Sequence, residues 1–133
     1  MNPDNLPVII SVETDKKVYA ESDTIHFTVY AINPTQGYVE LYARDQSIVD
    51  IWVLHQNSIV WTWYGGYCPP IWEYVLSPGE KLVVLNDLEW LQNFDDELSK
   101  KGSNKVPPGE YEVIGILDTD PQYISESIKI TLK

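Results

Sequence analysis

The residues best suited to nucleophilic or transition-metal chemistry in this chain are few: two histidines, His26 and His55, and one cysteine, Cys68. A hydrolase needs a nucleophile held beside a base, or a metal with an activated water. His26 falls at a polar position of an alternating stretch and His55 falls in a turn, which makes both solvated surface groups. Cys68 precedes Pro69, which restricts it to extended backbone, and no helix N-terminus is near enough to lower its pKa, so it reads as a structural thiol. Asp118-Thr119-Asp120 offers two carboxylates at alternating spacing but lacks the glycine and distal glutamate of a calcium loop. Asp95-Asp96-Glu97 reads as a solvated face, whereas acid and base work needs paired carboxylates in a dry cleft. The residue types therefore predict no catalytic residue, no metal site and no cofactor, hence not an enzyme.

Recognition chemistry is better represented. In the segment from Tyr64 to Trp72, Gly65 and Gly66 permit a sharp turn, while Pro69 and Pro70 stiffen the residues that follow Cys68. Tyr67, Ile71 and Trp72 supply amphipathic and apolar anchors of the kind that dominate interfaces. A tight binder presents a loop already in its bound shape, because ordering it on contact costs free energy. Gly65, Gly66, Tyr67, Cys68, Pro69, Pro70, Ile71 and Trp72 are the candidate partner-binding residues. The same anchors also suit packing between two sheets, with the prolines protecting an edge strand from further pairing. Asn33 to Gly37 and Asn104 to Gly109 are secondary loops, and Arg44 is a surface residue that a trypsin-like pocket would accept.

The elements that must hold these groups are strands. Ile25, Phe27, Val29 and Ala31 alternate with His26, Thr28 and Tyr30, the period of two of a half-buried strand. Further strands are expected at Val8–Val12 with Val18-Tyr19, Tyr38–Tyr42, Ile48–Leu54, Ile59–Trp63, Trp72–Leu76, Lys81–Leu85, Glu112–Leu117 and Tyr123–Leu132. His55-Gln56-Asn57 makes a hairpin of the fourth and fifth of these. Asn86 as a cap, Glu89 three residues on, the stripe Leu88, Leu91 and Leu98, and Gly102 beyond Lys100-Lys101 predict one short helix near residues 87–101. Pro108-Gly109-Glu110-Tyr111-Glu112-Val113 has the turn, tyrosine and core residue of a tyrosine corner. Short strands at close intervals with one helix predict an all-β, immunoglobulin-like sandwich as a single domain over residues 1–133.

Composition bounds the partners. The chain carries 20 acidic against 9 basic residues, a net charge of −11, so nucleic acid and anionic lipid surfaces are repelled at long range. No apolar run approaches the ~18 residues of a membrane span, and the first residues lack the basic end and apolar stretch of a secretory signal. A single cysteine allows no internal disulfide, so stability rests on packing. A cytoplasmic location is expected, or an extracellular one if the chain is an excised domain, with the protein a monomer or weak oligomer.

The order of motifs from Gly37 onward resembles that of the intracellular proteinase inhibitor family, the BsuPI domain. The residues that carry the likeness are Asp50-Ile51-Trp52-Val53, Val60-Trp61-Thr62-Trp63, Tyr67, Leu76-Ser77-Pro78-Gly79-Glu80, Trp90 and Val106-Pro107-Pro108-Gly109-Glu110-Tyr111. The piece between Trp90 and Val106 is longer than the family pattern, and Cys68-Pro69-Pro70 stands where the family has small and polar residues. The resemblance implies an immunoglobulin-like fold and inhibition of a serine protease, of the subtilisin type. Asn33-Pro34-Thr35-Gln36-Gly37-Tyr38 is also similar to the Asn-Pro-Thr-Thr-Gly loop of chagasin-type cysteine protease inhibitors. The Arg-Pro-Trp loop that accompanies it there has no counterpart, so this segment is taken as a common turn. The alternative function is a structural, adhesive or assembly module of a larger or surface protein, meeting its neighbours through sheet edges or faces.

Overall fold

The computed structural model describes residues 7–44, 48–63, 71–93, 105–119 and 121–133, with the side chains of Arg44, Ile71 and Trp72 outside that description. Every regular element in it is a strand: β1 (Ile9–Thr14), β2 (Val18–Tyr19), β3 (Ile25–Ile32), β4 (Val39–Arg44), β5 (Val49–His55), β6 (Ser58–Thr62), β7 (Ile71–Leu76), β8 (Lys81–Trp90), β9 (Gly109–Leu117), β10 (Tyr123–Ile124) and β11 (Ile128–Leu132). Arg44 closes β4, two residues beyond the expected strand Tyr38–Tyr42. No described helix is long and apolar enough to cross a membrane.

Hydrophobic alternation decides which face each strand buries. Along β3 the odd positions Ile25, Phe27, Val29 and Ala31 are fully buried, and the even ones are half-exposed. This strand is the centre of one sheet, in the order β1-β3-β8, with both ladders antiparallel. The second sheet runs β2-β11-β9-β5-β6, with β10 added to β9. Its hairpin β5–β6 turns on Gln56 and Asn57, both left-handed at φ 51° and 65°, the geometry that matches strand twist in a two-residue turn. Strand β2 joins β11 in parallel, with Val18 opposite Thr131 and Tyr19 opposite Leu132. A third ribbon pairs β4 with β7.

The two sheets close on one apolar core. Phe27 of the first sheet stacks on Trp61 of the second at 6.1 Å between ring centroids, and Trp61 stacks on Trp90 at 5.5 Å. Gly115 of β9 lies under Val12 and Val29, and a Cβ there would sit 3.2 Å from the Val12 Cβ. A side chain at that point of the strand would therefore fit only if Val12 gave way by a few tenths of an ångström. The architecture is an immunoglobulin-like sandwich, as the strand pattern predicts.

The helix near 87–101 is corrected. Residues 87–90 complete β8, Asn93 bridges to Lys105, and residues 94–101 lie outside the described set. The reason is local. Strand β8 carries two register shifts against β3, one where Asn86 and Asp87 together face Thr28 and one at Val84. Asp87 takes φ 59° at the first. Each bulge inserts one residue and resets the alternation, so the core-facing Leu82, Leu85 and Leu88 fall three apart and imitate a helical stripe, whereas Leu91 lies beyond β8 and is exposed.

Candidate protein-binding site

The most tightly organised exposed structure is the loop between β3 and β4. Asn33 follows β3 directly and is fully buried, and every polar atom of it is used. Its side-chain amide donates to the carbonyls of Gly37 at 2.8 Å, Ser77 at 3.0 Å and Leu76 at 3.1 Å. Its side-chain oxygen accepts from the Thr35 backbone N–H at 2.9 Å and the Thr35 hydroxyl at 2.7 Å. Its own backbone N–H donates to Glu80 O, and its carbonyl accepts from Gly79 N–H, both at 2.9 Å. One asparagine thus fastens the loop to the Ser77–Glu80 turn, which the Glu80 carboxylate closes by accepting from Ser77 N–H at 2.8 Å. The Tyr74 hydroxyl donates to the other oxygen of that carboxylate at 2.7 Å. These bonds hold the Glu80 carboxyl below its ordinary pKa. Pro34, Gln36, Pro78 and Tyr38 stand exposed around this hub, Tyr38 to 74%.

A second arrangement surrounds Tyr111. Its buried hydroxyl donates to Pro107 O, four residues upstream, which is the corner predicted from Pro108-Gly109-Glu110-Tyr111. Burial pushes the phenol up to about 12. The ring of His55 stacks on Tyr111 at 4.4 Å, and its Nδ1 lies 3.0 Å from Glu110 O. A carbonyl oxygen only accepts, so Nδ1 carries a proton in this contact. Gly109, at φ 144°, leaves room for that ring, since a Cβ would stand 3.0 Å from His55 Cε1. A polar cleft of about 480 Å³ opens here, lined among others by Asn57, Glu110, Glu112 and Lys129. Neither histidine is a free surface group: His26 Nδ1 pairs with Asp87 Oδ1 at 2.6 Å.

The candidate partner-binding residues Gly65, Gly66, Tyr67, Cys68, Pro69 and Pro70 lie outside the described residues. Ile71 and Trp72 form the start of β7 and pair through their backbones with Arg44 and Ala43, so the segment feeds directly into the β4–β7 ribbon. Of the secondary loops, Asn33–Gly37 is fastened to the Ser77–Glu80 turn, whereas Gly109 packs on His55. Asp118 accepts from the Gln122 amide at 3.2 Å, Thr119 is buried, and Asp120 lies outside the described residues. Among the described residues no group of three or more His, Cys, Asp and Glu could hold a metal ion.

The residues that carry the resemblance drawn from the sequence have structural roles in this fold. Asp50 accepts from its neighbour Ile51 N–H at 2.7 Å, from the Trp52 indole at 3.1 Å and from Trp63 N–H at 3.2 Å, joining β5 to the end of β6. Trp90 is core and the half-buried Trp61 stacks on it, Leu76–Glu80 is the turn that Asn33 grips, and Tyr111 is the corner. Asn33 itself is the residue that pattern reading passed over as an ordinary turn former. The signal for it was Asn-Pro-Thr, where an Asx side chain can accept from the N–H two residues on.

The sequence matches no family model and no curated protein. Solved structures resemble it as folds. The sporulation control protein Spo0M of Bacillus subtilis aligns with a TM-score of 0.57 at 10% identity, over 96% of this chain and 49% of that one. A CARDB domain from Pyrococcus furiosus, in complex with di-metal ions, aligns at 0.51 and 11% identity, over 95% of this chain and 87% of that one. The fold is an immunoglobulin-like sandwich. A β-glucosidase from Erythrobacter marinus aligns at 0.54 and 16% identity, over 95% of this chain but 15% of that one. The chain thus spans about half of Spo0M and a small part of the glucosidase. Likeness at these identities concerns the fold alone.

Proposed function

We propose that this domain acts by binding another protein, as an inhibitor of a serine protease, with a subtilisin-type enzyme as the expected target, and that it carries no catalytic activity of its own. The observation that carries the reading is the Asn33 hub. It holds an exposed loop and a neighbouring turn in one fixed shape before any partner arrives, which removes the ordering cost that weakens loop-mediated binding. Tyr38 projects from that loop as an aromatic anchor of the type that dominates interfaces. The motif order shared with the BsuPI domain supports the choice of inhibitor among protein-binding functions, and the segment Gly65–Trp72 remains the second proposed contact.

The test is a titration of the purified protein against subtilisin-type, trypsin-type and papain-type proteases, following residual protease activity and the integrity of the chain. Stoichiometric inhibition of the subtilisin class, lost in Tyr38→Ala or Tyr67→Ala with an unchanged melting temperature, is the expected result. A chain that survives every protease without inhibiting any overturns it.

A second reading, that of a structural or assembly module, is favoured by the size relation to the fold neighbours. In the β-glucosidase and Spo0M a unit of this shape is part of a longer chain. Oligomerisation of the intact chain in the absence of protease binding would favour this reading.

A further inference from the structure

The β4–β7 ribbon has two unlike faces. Leu41, Ala43 and Leu76 are buried on the inner one. The outer one pairs Glu40 with Val75 and Tyr42 with Glu73 across the ladder. Glu40 and Glu73 are exposed, Tyr42 is half-exposed, and Val75 is 50% exposed. Together with Leu41 and Tyr74 they line a concavity of about 360 Å³. Tyr38 stands at the loop end of the same ribbon, and the Asn33 hub and the Tyr74–Glu80 hydrogen bond fix that end in place.

This face combines exposed apolar and aromatic area with two carboxylates that have no ion-pair partner among the described residues. Glu40 and Glu73 are diagonal neighbours on one face, a relation that sets the two residues about 7–8 Å apart and their Cβ atoms somewhat closer. That span suits one guanidinium, whose planar fork can donate to a carboxylate on either side. The aliphatic stem of the same side chain would cover Val75, and the cation would meet the Tyr42 ring. The charge of the whole chain, −11, attracts such a partner from a distance.

We propose that the outer face of the β4–β7 ribbon docks a basic, extended segment of a partner protein, seating an arginine side chain between Glu40 and Glu73 with its stem on Val75 and Tyr42. The proposal stands apart from the inhibitor reading, because it needs neither a protease nor the segment Gly65–Trp72.

The experiment uses the purified full chain and a fluorescein-labelled nine-residue peptide of alternating arginine and valine, with its glutamate-for-arginine counterpart as control, followed by fluorescence anisotropy. The expected result is saturable binding of the arginine peptide only, weakened about tenfold or more in the double variant Glu40→Gln/Glu73→Gln at an unchanged melting temperature. A second double variant, Glu21→Gln/Glu126→Gln, removes the same charge from exposed positions elsewhere and should bind like the parent. Equal weakening in both variants would reduce the effect to net charge and overturn the proposal, as would no binding or equal binding of the two peptides. Sedimentation of the peptide-free chain completes the test: self-association that the Glu40→Gln/Glu73→Gln variant changes would make a second copy the occupant and also overturn it. Protease inhibition measured on the same variants keeps the two readings separable, since either activity can fail without the other.

Discussion

The hydroxyl of Tyr19 donates to the carboxylate of Asp15 at 2.6 Å, and the same carboxylate oxygen accepts from the His26 backbone N–H at 3.1 Å. Burial pushes the Asp15 carboxyl up, but these hydrogen bonds outweigh it and hold the group below its ordinary value of 3.8. Burial and the same bond push the Tyr19 hydroxyl up to about 12. Tyr111 is pushed to the same value by burial. The Asp15 contribution is present above its unfolded pKa and is lost as pH falls through the lower folded one. The tyrosine contributions are present below their unfolded value of 10 and are lost as pH rises through about 12. Urea unfolding measured across pH should therefore show stability falling at both extremes, and Tyr19→Phe should flatten both limbs. An acid limb that Tyr19→Phe leaves unchanged would show that the contact does not control Asp15.

Asn33→Ala should destabilise the chain by roughly 2–4 kcal/mol, because it strips partners from several backbone groups at a fully buried position. Asn33→Asp should be no better, since a carboxylate would then face the carbonyls of Gly37, Leu76 and Ser77. Chemical denaturation of both variants checks this.

Tyr111→Phe removes only the corner hydrogen bond and leaves the ring on His55. A loss of about 1–2 kcal/mol is expected, with the folded state otherwise unchanged in its amide NMR spectrum. Tyr111→Ala also empties the site under His55 and should cost about 3–5 kcal/mol.

Gly115→Ala places a methyl against Val12 and Val29 in the space between the sheets and should cost about 1–3 kcal/mol. A Cβ at Gly37 would meet nothing within 4 Å, so Gly37→Ala should leave the midpoint of denaturation nearly unchanged. The pair of melting curves separates close sheet contact from a general effect of replacing glycine.

Much of the fold was legible because its signals are local. The alternation of Ile25 to Ala31, the turn at Gln56-Asn57 and the tyrosine corner each depend on a few consecutive residues and held in the structure. The helix failed for a physical reason: a bulge inserts one residue, and a period of two interrupted by insertions imitates the three-residue spacing of a helical stripe. Partner choice was beyond local signals altogether. Strands β7 and β8 flank one tight turn, yet β7 pairs with β4 and β8 with β3. The grip of Asn33 on Leu76 and Ser77 spans more than forty residues of chain, and only the assembled fold brings them together. The chosen loop, Gly65–Trp72, was singled out by its side chains, whereas the Asn33 loop owes its interest to the burial of one residue that sequence alone does not report.

The two bulges of β8 bear on how this chain behaves in company. β8 is ten residues long and is the last strand of its sheet among the described residues, so one side of its backbone pairs with no described strand. A long, flat strand in that position would recruit straight strands from other molecules and seed aggregates. The insertions at Val84 and at Asn86-Asp87 bend and twist this edge, and the charged Asp87 and Glu89 stand exposed along it. The irregularity that disguised β8 in the sequence thus also guards the protein against growing into a fibre.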